Sequence, residues 1–120
     1  MNNFQQRGDV IRLTAIAAAV ASGQVVRVGN LLGVANHKAA IGAELECNLR
    51  GVYVVPKVAG AVIAQGETLT WDASAAAFDD NLAVAAAGDV TGAAAVAFEA
   101  AGNGVTSIAV LFTGVPGTLT

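Results

Sequence analysis

The sequence predicts a mainly β protein, a small antiparallel β-sandwich or barrel with at most one short helix. Two observations carry this reading. Glycines at Gly23, Gly29, Gly33, Gly42, Gly51, Gly60 and Gly66 divide the chain into brief runs rich in Val, Ile, Leu and Thr, the arrangement of short strands joined by tight turns. Within those runs apolar and polar residues alternate with a period of two, as half-buried strands require.

The elements follow in chain order. Residues 1–9 read as a polar arm in which Asn2, Asn3, Gln5, Gln6 and Arg7 surround a single Phe4, and residues 10–120 as one β domain. The first strand falls at 10–15, with Ile11, Leu13 and Ala15 on one face and Arg12 and Thr14 on the other. An Ala-rich connector leads to Ser22-Gly23. Runs 24–28 and 31–35 form a hairpin about Gly29-Asn30, and His37 and Lys38 occupy a loop tip. Runs 43–49 and 52–55 form a strand pair about Arg50-Gly51, the second ended by Pro56, which cannot donate to a ladder. Residues 57–65 carry Val58, Ala61 and Val62 at helical spacing, one or two turns closed by Gly66.

Further along, 68–72 alternates cleanly, with Leu69 and Trp71 opposed to Thr68, Thr70 and Asp72. Trp71 is the expected core anchor, with an exposed interface position as the competing reading. Strands are expected at 78–84 and at 93–98, where the branched and aromatic Val96 and Phe98 outweigh the helical propensity of the alanines. The last strand is 105–113, with Ile108, Val110 and Phe112 aligned, and residues 114–120 trail off. Eight or nine strands result, with no linker and no internal repeat.

Composition narrows the function. The chain has 120 residues, is 55% hydrophobic and only 5% aromatic, with a mean hydropathy of +0.62. Small apolar side chains cover surface without filling volume, so part of that apolar area is expected outside, where it marks an interface. No segment reaches the roughly 18 unbroken apolar residues of a membrane-spanning helix, and no membrane partner is expected. The stretch 13–21 carries a small-x-small pattern after Arg7 and Arg12, but Asp9 and weak hydrophobicity favour a strand and loop over a secretory signal. Nucleic acid is disfavoured by a pI of 4.8 and by the lack of clustered Lys and Arg.

All six basic residues precede residue 60, against three acidic ones, giving +3, whereas the second half holds six acidic residues and no basic one, giving −6. Such a division can orient one subunit against the next or against a host surface. Scattered charges that intermix on folding are the alternative.

Catalytic signals are absent. His37 has no second His or Cys at ligand spacing and reads as a solvated loop residue. Asp79 and Asp80 are adjacent in an extended segment, so they point to opposite faces and cannot share a proton. Gly29-Asn30-Leu31-Leu32-Gly33 matches no phosphate-binding loop. Cys47 alternates with Leu45 and Leu49, which places the thiol on an apolar face as a buried small hydrophobe. A non-enzyme with no cofactor and no metal is expected.

A series of short elements resembles the tailed-phage capsid cement, or head decoration, proteins. It runs through Asn3-Phe4, Gly8-Asp9, Ile11, Thr14-Ala15, Ser22-Gly23, Val28-Gly29, Gly33-Val34-Ala35, Gly42, Gly51-Val52, Pro56-Lys57, Ala64-Gln65-Gly66, Trp71-Asp72 and Val110-Leu111. Two departures are Thr70, where the pattern is often aromatic, and the Ala-rich segment 91–97. The resemblance implies a mostly β protein on the outer capsid surface of the virion, made in the bacterial host cytoplasm. Its partners would be the major capsid protein and itself, as a homotrimer or else a homodimer, bridging capsomers against internal DNA pressure. The expected contact residues are those of the arm, Asn2, Asn3, Phe4, Gln5, Gln6 and Arg7. The alternative is a non-catalytic ligand- or receptor-binding β module on a virion or cell surface, and an enzyme with a carboxylate site assembled in space ranks third.

Overall fold

The computed structural model describes residues 8–120. Eleven short strands follow one another: β1 Val10–Leu13, β2 Val25–Val28, β3 Leu31–Ala35, β4 Leu45–Asn48, β5 Arg50–Pro56, β6 Thr70–Asp72, β7 Ala77–Asp79, β8 Val90–Thr91, β9 Ala95–Ala97, β10 Ser107–Thr113 and β11 Thr118–Leu119. They make three antiparallel sheets, ordered β1-β4-β3-β2, β5-β10-β9 and β11-β8-β6-β7. No helix forms among the described residues.

The hairpin of β2 and β3 forms as its sequence predicts, with Val28 opposite Leu31 and Gly29 at φ +59° in the turn. Other expectations change. Residues 57–65 are not helical: Lys57 bridges Phe78 and Ile63 bridges Ala101, with Ile63 and Ala101 exchanging amide bonds of 2.8 and 2.9 Å. Pro56 and Gly60 flank too short a run for a helix to compete with these long-range partners. The expected pairing of 43–49 with 52–55 does not occur either. Only Leu49 separates β4 from β5, and the chain continues extended from the first sheet into the second, where β5 pairs β10 along its length. Gly51, at φ +128°, lies within β5 beneath the Tyr53 ring rather than in a turn.

The strand expected at 78–84 ends at Asp79, and the tail expected to trail off is paired, with Thr118 opposite Thr91. The segment at 93–98 is a strand, trimmed to Ala95–Ala97. Its alanines succeed because Ala95 lies opposite Phe112 and Ala97 opposite Val110, so small side chains on one strand make room for large ones on the next.

The main core lies between the three sheets. Trp71 in β6 and Phe78 in β7 are cross-strand partners with ring centroids 5.0 Å apart. Phe78 meets Phe112 of β10 at 5.9 Å, and Phe112 meets Tyr53 of β5 at 5.9 Å. All three contacts are edge-to-face, a geometry that adds about 0.5–1.5 kcal/mol each beyond area burial. Trp71 is only 7% exposed, so the core reading of this residue holds over the interface reading.

A second cluster lies on the other face of the first sheet, where Ile16, Ala35, Leu45 and Cys47 are buried beneath partly buried Val20 and Ala39. Loops 14–20 and 36–43 cover it, tied together by paired amide bonds between Val20 and Ala39. Cys47 is fully enclosed, and burial pushes its thiol pKa up.

Lys57 is 4% exposed. Its Nζ donates to the carbonyls of Val58 at 2.9 Å, Gly102 at 3.0 Å and Val105 at 3.1 Å, with Ala59 at 3.5 Å. One buried amine thus cross-links two loops, adding a second donor to the Val58 and Gly102 carbonyls, which also accept the Ala61 and Val105 amides, and satisfying the Val105 carbonyl.

Candidate interaction surfaces

The alternation in β5 and β10 leaves the second sheet apolar on both sides. Gly51, Tyr53 and Val55 face the core, as do Ile108, Val110 and Phe112. On the outer face, Leu111 lies opposite both Val52 and Val96. In the next row Ala109 lies opposite Val54 and accepts the Phe98 amide at 2.9 Å. Arg50 opposite Thr113 closes one end of these rows and Pro56 opposite Ser107 the other. Val54 is 73% exposed, Phe98 49% and Val52 44%. A contiguous apolar face of this kind is characteristic of a surface that another protein covers.

The same sheet has an open margin. The Lys57 amide donates to the Thr106 carbonyl, which continues the β5-β10 register and sets its phase. Gly51, Tyr53 and Val55 therefore bond towards β10, while the main-chain groups of Arg50, Val52 and Val54 point away from it. Among the described residues no strand pairs with that side of β5. An edge of this kind can accept an added strand.

The expected contact residues Asn2, Asn3, Phe4, Gln5, Gln6 and Arg7 lie outside the described residues. The described chain begins beside the apolar face: the Asp9 carbonyl accepts the Leu49 amide at 2.7 Å, and Asp9 Oδ1 lies 3.7 Å from Arg50 Nε.

Two further features are apolar and charged at once. The loop after β7 projects Leu82 and Val84, beside Asp79, Asp80 and Glu67. On the outside of the first sheet, a groove of about 410 Å³ is lined by Leu13, Ile16, Val20, Val26 and Leu45 together with Arg27. An adjoining hollow of about 380 Å³ shares Val20 and includes Lys38. Sequence reasoning missed the loop because the alternation at 78–84 imitates a strand. The contrary signal was local: Asp79 and Asp80 each accept a nearby backbone amide, the usual way in which Asp ends an extended run.

The titratable groups mainly fasten loops. Asp89, 4% exposed, accepts the Ala73 and Ala86 amides at 3.0 and 2.9 Å. Asp72 accepts the Ser74 hydroxyl at 2.8 Å and the Ala75 amide at 3.2 Å. These bonds, the Ser74 hydroxyl first, hold its carboxyl below the ordinary range. His37, an exposed loop residue as expected, also lies within 3.0 Å of the Lys38 carbonyl through Nδ1 and accepts the Glu46 amide at 3.4 Å through Nε2. It fastens the 36–43 loop to β4. Among the described residues no three His, Cys, Asp or Glu side chains stand together as a metal site.

A family model described as phage cement protein matches residues 5–112. Among curated proteins, none matches the chain.

Proposed function

Because this chain belongs to the phage cement protein family, matched over residues 5–112, we propose that it binds the outer surface of a phage head and bridges neighbouring capsomers as a homotrimer. The structural role on a phage capsid comes with the family. The observation that supports the finer reading is the outward apolar face of β5, β10 and β9, centred on Val54, Leu111 and Phe98. An isolated monomer gains nothing by leaving this face to water. The face and the open margin of β5 are assigned to the major capsid protein, with side-chain burial supplying area and main-chain groups supplying register. The copies are made in the bacterial cytoplasm and join an assembled shell, where symmetric repetition turns modest contacts into a firm clamp.

The arm at residues 1–9 is the second proposed contact, with Phe4 as its apolar anchor and residues 10–120 as the β domain that carries it. Asp9, where the arm meets the domain, lies beside Arg50, which supports the arm's sharing the same interface.

Co-sedimentation with purified empty heads tests this. Val54→Asp together with Phe98→Asp should reduce occupancy more than tenfold, since each buries a charge in an apolar contact. Removal of residues 2–7 should spare the fold and weaken attachment. Unchanged occupancy in the face variant would overturn the placement of the shell contact, and unchanged occupancy in the truncation would remove the arm from it.

A further inference from the structure

The geometry points to a head-to-tail contact between copies of this chain: the loop tip at Leu82 and Val84 of one copy seats in the apolar groove on the first sheet of the next. This inference rests on the self-association proposed above and assigns the surfaces that make it.

Leu82 is 87% exposed and Val84 95%, the highest values among the described large hydrophobic residues. The tip is held at its base. Asp79 Oδ1 accepts the Asp80 amide at 2.8 Å, Asp80 Oδ1 accepts the Leu82 amide at 3.0 Å, and Glu67 Oε2 accepts the Asn81 amide at 2.9 Å. Three carboxylates thus ring the root of an apolar knob, and no basic residue follows Lys57 in the sequence.

The groove offers the complement. Its volume of about 410 Å³ and its lining by Leu13, Ile16, Val20, Val26 and Leu45 suit two aliphatic side chains. Among the described residues, Arg12 pairs with Glu44, Arg50 pairs with Asp9, and Lys57 is sealed among carbonyls. Arg27 and Lys38 are the cations left without a carboxylate: Arg27, whose guanidinium donates to the Gly29 carbonyl at 2.7 Å, borders the groove through its strand, and Lys38 lines the hollow adjoining it. Acidic collar and basic rim select this pairing over knob against knob or groove against groove. Because knob and groove are different surfaces, the contact is heterologous, and repetition by a closing rotation makes a ring.

The test is the association of the full chain, read by sedimentation equilibrium, with circular dichroism to verify the fold. The wild-type chain should associate, less tightly as salt is raised. Leu82→Asp with Val84→Asp should weaken association more than tenfold while leaving the spectrum unchanged, because neither side chain is packed. Asp79→Lys with Asp80→Lys should weaken it as well, and adding Arg27→Glu with Lys38→Glu should restore it. Undiminished association of the Leu82/Val84 variant, or failure of the combined reversal to restore it, would overturn the contact and leave the trimer proposal standing. A wild-type chain that stays monomeric both alone and on heads would overturn both.

Discussion

Asn30 and Gly117, 87 residues apart, hold each other by two hydrogen bonds: the Gly117 amide donates to the Asn30 carbonyl at 2.8 Å, and Asn30 Nδ2 donates to the Gly117 carbonyl at 3.2 Å. The turn of the β2-β3 hairpin is thereby fastened to the segment that leads into β11, joining the first sheet to the third.

Gly117 has no room for a side chain. A Cβ there would stand 2.5 Å from the Thr91 carbonyl oxygen and 2.6 Å from Val90 Cγ1. Gly117→Ala should therefore destabilise the protein by about 2–3 kcal/mol through overpacking, and Asn30→Ala by about 1 kcal/mol. Because both changes disturb one contact, the double variant should lose less than the sum. Urea unfolding midpoints measure all three.

Lys57→Met keeps the aliphatic stem and removes the donor. The Val58 and Gly102 carbonyls keep the Ala61 and Val105 amides, so the Val105 carbonyl is the one left short of a donor in a buried site, at a cost of about 1–3 kcal/mol. Hydrogen exchange should quicken at Gly104, whose amide donates to Ala59 across the same two loops. A loss below about 0.5 kcal/mol would show that the Val105 carbonyl regains a partner elsewhere.

Ala76 sits at φ +50° in the β6-β7 turn, a left-handed conformation that costs a Cβ-bearing residue about 1–2 kcal/mol. Ala76→Gly removes that strain and adds some unfolded-state entropy, so a net gain of about 0.5–1 kcal/mol is expected. It should appear as a raised denaturation midpoint at unchanged slope.

The Asp72 carboxyl titrates below its unfolded value because the Ser74 hydroxyl and the Ala75 amide bond to its ionised form. A folded pKa lower than the unfolded one means that the stabilisation is present above the unfolded value, about 3.9. It is lost as pH falls through the lower folded value. Asp72→Asn should be less stable than wild type at pH 7, and the difference should close below about pH 4. A stability difference constant from pH 7 to about pH 2 would show that the carboxylate charge has no part in it.

Residues that alternate against one consistent core were legible in the sequence. Strand β10 shows this best, because Ile108, Val110 and Phe112 all face inward, and Trp71 and Cys47 are buried as their neighbours predict. The Gly29-Asn30 turn was equally plain, since two alternating runs flank it at hairpin spacing. The passage from β4 to β5 was not legible: Arg50-Gly51 looks like a turn locally, and only partners far along the chain draw the strand straight on into another sheet. The tail at Thr118 and Leu119 was missed for the same reason, its partner being the two-residue strand Val90–Thr91.

Much of the proposed interface was hidden by its own regularity. In β5, Val52 and Val54 are as apolar as Val55, and alternation alone does not distinguish a strand covered on both sides from one left bare on one. Exposed apolar side chains larger than alanine, among them Val52, Val54, Phe98, Leu82 and Val84, add to the apolar surface.

The pairing of β5 with β10, Tyr53 opposite Val110, has a bearing on timing. Residues 57–106 must be synthesised between these strands before either can find the other, so the central sheet cannot nucleate locally, and such non-local topologies fold in roughly milliseconds to seconds. During that interval a nascent copy offers unmatched strands to every neighbour emerging from nearby ribosomes. Transiently exposed strand edges in that interval are prone to association with one another.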